Sequence, residues 1–390
     1  MNERKQSLRN EIIRLALPMA LQQFMTALVG ACDAIMLGKL SQNAMSAVSL
    51  ATQVTFVFNL FMYAFVTGEN MFVAQYYGKG DYKGISKIFS LVTKACGVVA
   101  VIFLIGTFFF PRQIMAVLTN EEELITLGSE YLRVIGISYL LSSIAQTFLA
   151  IMKNCNAVNV STLINSVMVI LNIILNAVFI FGLFGAPRLG AAGVAIATAS
   201  SRLVELVACV IVSFMSKNVK LNLTYMFIRS KVLFHDFMKL SLPALGNDVS
   251  WSVAFSMYSV ILGHLGTDAV AANSLVTVVR NIGSVFCFAI ASAGTILLGN
   301  VMGKGDLEKS KVYASRMLKM TVIAGAIGGV IVFAITPLVM RFASLSDGAM
   351  HYLKYMLLIN TYYIMGSAVN TALIAGVFRA GGDTKFGLIC

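Results

Sequence analysis

The chain has 390 residues, of which 58% are hydrophobic and only 12% charged, with a formal net charge of +12; its mean hydropathy is +0.84. An ordinary soluble domain is about a quarter charged, and a soluble monomer this apolar would expose large hydrophobic patches, so a soluble globular protein is excluded. The basic residues sit in short loops between apolar blocks, not in a basic helix or a patch interleaved with aromatics, which argues against nucleic acid as a partner.

Taken in chain order, the apolar blocks read as ten transmembrane spans, at 12–38, 45–77, 87–110, 131–152, 160–184, 190–215, 237–263, 270–302, 314–340 and 352–377. Each is long enough to cross a bilayer. The first follows a basic N-terminus, as a signal peptide would, but it is too long for a signal segment and contains Pro18 and Asp33. Backbone groups in lipid must be satisfied within their own segment, so the blocks are expected to be helices. The short alternating strands of a β-barrel are not seen. An eleventh span is expected to begin near Lys385.

Lys and Arg in the loops set the orientation. With the N-terminus inside, the inner segments hold 20 of these residues and the outer loops four, with five more inside spans. The asymmetry predicts a cytoplasmic N-terminus and a multi-pass protein of the plasma (inner) membrane.

The chain also repeats itself. At an offset of 225 positions, Leu15-Ala16-Leu17-Pro18 falls on Leu240-Ser241-Leu242-Pro243, and Gly78-Lys79-Gly80-Asp81 falls on Gly303-Lys304-Gly305-Asp306. Residues 37–54 fall on 262–279 with nine of eighteen identical and no gap. The repeat holds six spans, an even number, so both copies enter the membrane from the same side. The predicted fold class is an all-α polytopic membrane protein of two parallel six-helix repeats, the second incomplete, around a central cleft. The expected domains are an N-terminal lobe at 1–215, a cytoplasmic linker at 216–239 and a C-terminal lobe at 240–390. Partners for spans 160–215 would lie near 385–440, so the expectation is a C-terminally truncated form of a twelve-span protein.

Among polar residues inside spans, Asp33 is the leading candidate. A carboxylate at that depth is costly and usually faces a bundle interior or water, so it can exchange a proton or hold Na⁺; the plainer reading is an acid snorkelling to the interface. Its repeat partner is Tyr258, so one half has the acid and the other does not. Asn172 and Asn176 are four apart and share a helix face. Their amide oxygens can complete an oxygen-lined cation site or simply join helices. Thr198, in the sixth span, can do the same or bond its own backbone. Asp248, Glu69, Gln75 and Trp251 are candidates for lining a path. Arg202 and Glu205, three apart, are expected to pair with each other.

Other chemistries lack their signatures. The six cysteines have no C-x-x-C spacing and the three histidines are far apart, so neither a metal centre nor a disulfide framework is expected. No G-x-x-x-x-G-K-[ST] loop or catalytic motif occurs. The expected class is a secondary transporter without an organic cofactor, not an enzyme.

The segments LALPMALQQFMTALVGACDAIMLGKL, VAQYYGKGD, LNIILNAVFIFGLFGAPRLGAAGVAIAT and FRAGGDT, in this order, resemble those of the multidrug and toxic compound extrusion (MATE) family. The resemblance covers essentially the whole chain. It implies two six-helix lobes around a cleft, and export of organic cations or amphiphilic drugs in exchange for Na⁺ or H⁺ by alternating access. It assigns ion coupling to Asp33, fifteen residues after Pro18, joined by Asn172, Asn176 and Thr198. One branch of the family has Asp where this chain has Asn176, which removes a negative charge from the site. Another branch carries a second acidic site at positions near Trp251 and Ala368, and here that site is missing. A lipid-linked oligosaccharide flippase of the same superfamily is the alternative; it would want free basic residues, and Arg202 and Arg280 are the clear mid-span cations. A monomer in the lipid bilayer is expected in either case.

Overall fold

The computed structural model describes residues 2–40, 42–215, 231–342 and 346–389; inside these stretches some side chains, Asp33 among them, lie outside the described set. Helix is the only regular structure among the described residues. The helices are α1 (Asn2–Leu40), α2 (Gln42–Lys79), α3 (Tyr82–Phe109), α4 (Pro111–Leu118), α5 (Glu122–Asn154), α6 (Val158–Phe181), α7 (Gly190–Met215), α8 (Lys231–His264), α9 (Thr267–Gly303), α10 (Leu307–Phe342), α11 (Asp347–Asn370), α12 (Arg379–Gly381) and α13 (Thr384–Ile389).

All ten expected spans fall on helical stretches, and among the described residues eight stretches are long and apolar enough to cross a membrane by length and composition. The sequence reading passed over α4, a two-turn helix opened by Pro111. Of the expected linker, 216–230 lies outside the described residues, and from Lys231 onward the chain is already helix α8. The last expected span is not uniform: an eight-residue π-helix, Thr371–Phe378, follows α11. Such widened turns leave carbonyls off the regular ladder, and the Thr295 hydroxyl of α9 sits 3.2 Å from the Ala375 carbonyl and 3.4 Å from that of Gly376.

The two Gly-Lys-Gly-Asp loops fold alike. Gly80 and Gly305 take φ of 73° and 80°, a conformation that costs any residue with a Cβ. Asp81 Oδ1 then accepts the Gly84 amide at 2.8 Å, and Asp306 Oδ1 accepts the Lys309 amide at 3.0 Å. Each Asp thereby caps the next helix and satisfies one of its orphan donors.

The chain forms two compact units, one of 25–241 and the other of 1–24 with 242–390. The N-terminal start of α1 therefore groups with the later residues and the start of α8 with the earlier ones. At about 1.5 Å per residue, helices of this length run well beyond one bilayer thickness.

The 25–241 unit is packed on rings. Phe58 stands 4.6 Å from Tyr139 and 5.4 Å from Phe103, centroid to centroid. The Tyr139 hydroxyl is hydrogen-bonded to Thr55 at 2.9 Å, so the buried phenol has its partner. Phe237 of α8, fully buried, stacks on Phe65 of α2 at 6.0 Å.

In the other unit the corresponding positions, by the repeat offset, are Gly283, Gly328 and Ile364. There α9 and α10 meet backbone to backbone: a Cβ on Gly328 would stand 2.3 Å from the Gly283 carbonyl oxygen. Small residues of this kind let membrane helices pack closely. Val332, Leu353, Leu357 and Ile364 fill the core around the contact. The same repeat thus closes its two copies in different ways, one with rings and one with glycines.

Candidate functional site

The most developed polar site lies on the seam between α6 and α7. Two routes could satisfy an asparagine inside an apolar helix: its own backbone or a neighbouring helix. Asn172 takes the second, donating through Nδ2 to Thr198 Oγ1 and to Ser201 Oγ, each at 3.3 Å. One turn further along, Asn176 Nδ2 donates to Asn172 Oδ1 at 3.1 Å. Ser201 donates in turn to the carbonyls of Ala197 (2.9 Å) and Thr198 (3.0 Å). Asn172, Asn176 and Ser201 are buried, at 2%, 0% and 0% exposure.

Three of the four residues that the sequence proposes for ion coupling are therefore brought together. The fourth, Asp33, lies on α1 in the same unit, and its side chain is outside the described residues. Ser201 was missed. Its signal was present: three residues after Thr198 it shares that helix face. The assembled groups are neutral oxygens and amides. They can replace part of a cation's hydration shell, but a charge-balancing carboxylate has to come from elsewhere.

The seam continues downward. Asn165, seven residues before Asn172, donates to Glu205 Oε1 at 3.4 Å, and Arg202 donates to Glu205 Oε2 at 2.7 Å. Glu205 is 1% exposed. The Arg202–Glu205 pair forms as its spacing suggests. Removing the guanidinium would leave this buried carboxylate's charge uncompensated, and removing the amide would leave one of its oxygens without that donor.

The four residues proposed to line a path do not form one group. Glu69 is fully buried on α2, and neither carboxylate oxygen has a hydrogen-bond partner. Its side chain is enclosed within the 25–241 unit. Its neighbour Asn70 is the group that bonds across helices, accepting from Asn154 at 2.6 Å. Gln75, also on α2, is half-buried. Asp248 is held by Arg379 at 2.6 Å, with side-chain exposures of 23% and 19%. Its charge is balanced from the far end of the chain, beyond the reach of any local sequence pattern. Trp251 is 55% exposed and stacks on Phe255 with centroids 4.2 Å apart. Among the described residues no three His, Cys, Asp or Glu side chains gather as metal ligands.

A duplicated, all-helical membrane architecture with polar groups buried between its helices defines a polytopic transporter. The MatE family model matches residues 18–178 and 243–390, and the chain belongs to that family. The two matches begin at the paired prolines Pro18 and Pro243, in the register of the repeat. As a member, the chain is a transporter and not an enzyme. Among curated proteins it is similar to the "Uncharacterized transporter YisQ" of Bacillus subtilis, 22% identical over 376 residues, covering 96% of this chain and 82% of that protein. It is also similar to a "Probable multidrug resistance protein NorM" of Thermotoga maritima, 28% identical, covering 77% of this chain and 65% of the relative. Among solved structures, an outward-facing multidrug resistance MATE family transporter of the MOP superfamily superposes with a TM-score of 0.89 at 20% identity, covering 98% of this chain and 84% of the other. A MOP superfamily transporter from Pyrococcus furiosus, described as having a binding pocket of reverse polarity, superposes with a TM-score of 0.82 at 20% identity, with the same coverage. These likenesses carry the fold.

Proposed function

We propose that the chain is a cation-coupled efflux antiporter for organic cations and amphiphilic drugs, driven by Na⁺ or H⁺ and working by alternating access. The observation that carries this reading is the buried cluster of Asn172, Asn176, Thr198 and Ser201, set in the same unit as the α1 segment that bears Asp33. Asp33 supplies the charge and the cluster supplies oxygen ligands. The names of relatives such as the Thermotoga maritima protein support drugs as the substrate class. In this reading the protein is a monomer of the plasma membrane, with its N-terminus in the cytoplasm and lobes corresponding to 1–215 and 240–390.

The flippase alternative needs unpaired cations to meet a pyrophosphate. Arg202 is taken by Glu205 and Arg379 by Asp248, so among the described residues Arg280 is the mid-span cation left without an ion pair, and that alternative has a single cation to build on. The deciding experiment is ethidium export from proteoliposomes under an imposed pH or Na⁺ gradient. Replacing Asp33 with Asn should abolish gradient-driven export while the protein stays folded. Export that survived at the wild-type rate would remove Asp33 from the mechanism.

A further inference from the structure

Arg280 stands five residues into the apolar stretch that begins at Leu275. A guanidinium in such a segment is costly and is normally neutralised by a carboxylate. Here no ion pair or hydrogen bond reaches it from a described residue. Aromatic rings hold it instead: its Cζ lies 5.0 Å from the centroid of Phe255 on α8 and 5.9 Å from that of Tyr363 on α11. Trp251 extends this cluster by stacking on Phe255. Trp251 and Tyr363 are 55% and 42% exposed, so the cluster is open on one side.

The arrangement is not repeat packing carried over from the other half. By the repeat offset, Arg280 corresponds to Thr55, Tyr363 to Ser138, Phe255 to Gly30 and Trp251 to Thr26. In the first half, Thr55 is closed onto Tyr139 and Ser138 onto its own helix at Ile135. Among the described residues at these positions, the second half places a cation among rings and the first does not.

Contacts with ring faces leave the five N–H donors at the guanidinium edge without a partner among the described residues. That edge matches a carboxylate or sulfonate in a two-point contact. An exposed indole beside it offers a stacking face for a planar ring. We propose that Trp251, Phe255, Arg280 and Tyr363 form a binding subsite for anionic aromatic amphiphiles, that is, planar rings bearing a carboxylate or sulfonate. This extends the reading of the chain as an exporter of amphiphiles, and it does not depend on Asp33.

The test is equilibrium binding of fluorescein, an anionic planar dye, to the full chain in nanodiscs, with cationic ethidium as the control. Wild type should bind fluorescein. Arg280→Gln should weaken that binding about tenfold or more, and Arg280→Lys by less, since a point charge replaces a fork. Trp251→Ala should weaken it by about threefold through lost stacking. Ethidium binding and the thermal unfolding midpoint should stay near wild type in both Arg280 variants. Asp33→Asn should leave fluorescein binding intact, which separates this proposal from the coupling reading. The proposal is overturned if wild type fails to bind fluorescein where ethidium saturates, or if Arg280→Gln binds it equally well. It is also overturned if Arg280→Lys, still folded, loses both dyes in parallel, because that pattern marks a packing role.

Discussion

Asn172 shows how much one side chain can organise. It donates to Thr198 and Ser201 and accepts from Asn176, so three hydrogen bonds meet on one amide at 2% exposure. Asn172→Ala leaves the Asn176 amide without that acceptor, at a cost of about 1–3 kcal/mol. The expected result is a lower thermal unfolding midpoint in detergent and a loss of gradient-driven ethidium export. An unchanged midpoint with unchanged export would remove the cluster from the site. Glu69 and Glu205 are both acids inside apolar helices, yet they sit in opposite surroundings. Glu205 has Arg202 and Asn165; Glu69 has no hydrogen-bond partner for either oxygen. The spacing of Arg202 and Glu205 made their pairing legible. Nothing near Glu69 in the sequence signalled a dry enclosure, because burial is set by helices distant along the chain.

Elements show the same division between local and distant causes. The Gly-Lys-Gly-Asp loops were readable as turns, since glycine followed by a capping Asp encodes its geometry within four residues. The Gly283–Gly328 contact was not, because it needs α9 and α10 to be brought together first. The two kinds of glycine should respond differently to a methyl group. At Gly305 there is no atom within 4 Å of a new Cβ, so Gly305→Ala costs only the left-handed conformation, about 1–2 kcal/mol. At Gly328 the new Cβ meets backbone 2.3 Å away, which forces the helices apart and adds an overpacking cost of about 1–3 kcal/mol or more. Thermal unfolding in detergent should rank Gly328→Ala below Gly305→Ala. The reverse order would mean that the helix contact is not tight.

Across the whole molecule, duplication explains the architecture. Both copies keep the proline, the loop and the helix order, and the family match follows the same register. The copies differ at polar positions inside the spans: Asp33 against Tyr258, Thr55 against Arg280, Glu69 against Gly294. The loop charges predict that both Gly-Lys-Gly-Asp loops face the cytoplasm. A cysteine at Lys304, in a background without accessible native thiols, should be labelled by an impermeant maleimide only from the cytoplasmic side. Labelling from outside would invert the topology.

Composition, span length and the internal repeat determined by themselves that this is a duplicated, all-helical membrane protein. Lipid permits few structures for an apolar chain, and those constraints act on each segment alone. Asn172 and Asn176 were also legible as one face, because helix periodicity is local. Only the tertiary structure decided what those faces meet. Thr198 and Ser201 come from the next helix, and Arg379 reaches Asp248 across 131 positions. It also decided that Asp248 is neutralised while Arg280 is left among rings, since a charge's partner is chosen by helix packing and not by its neighbours in the chain.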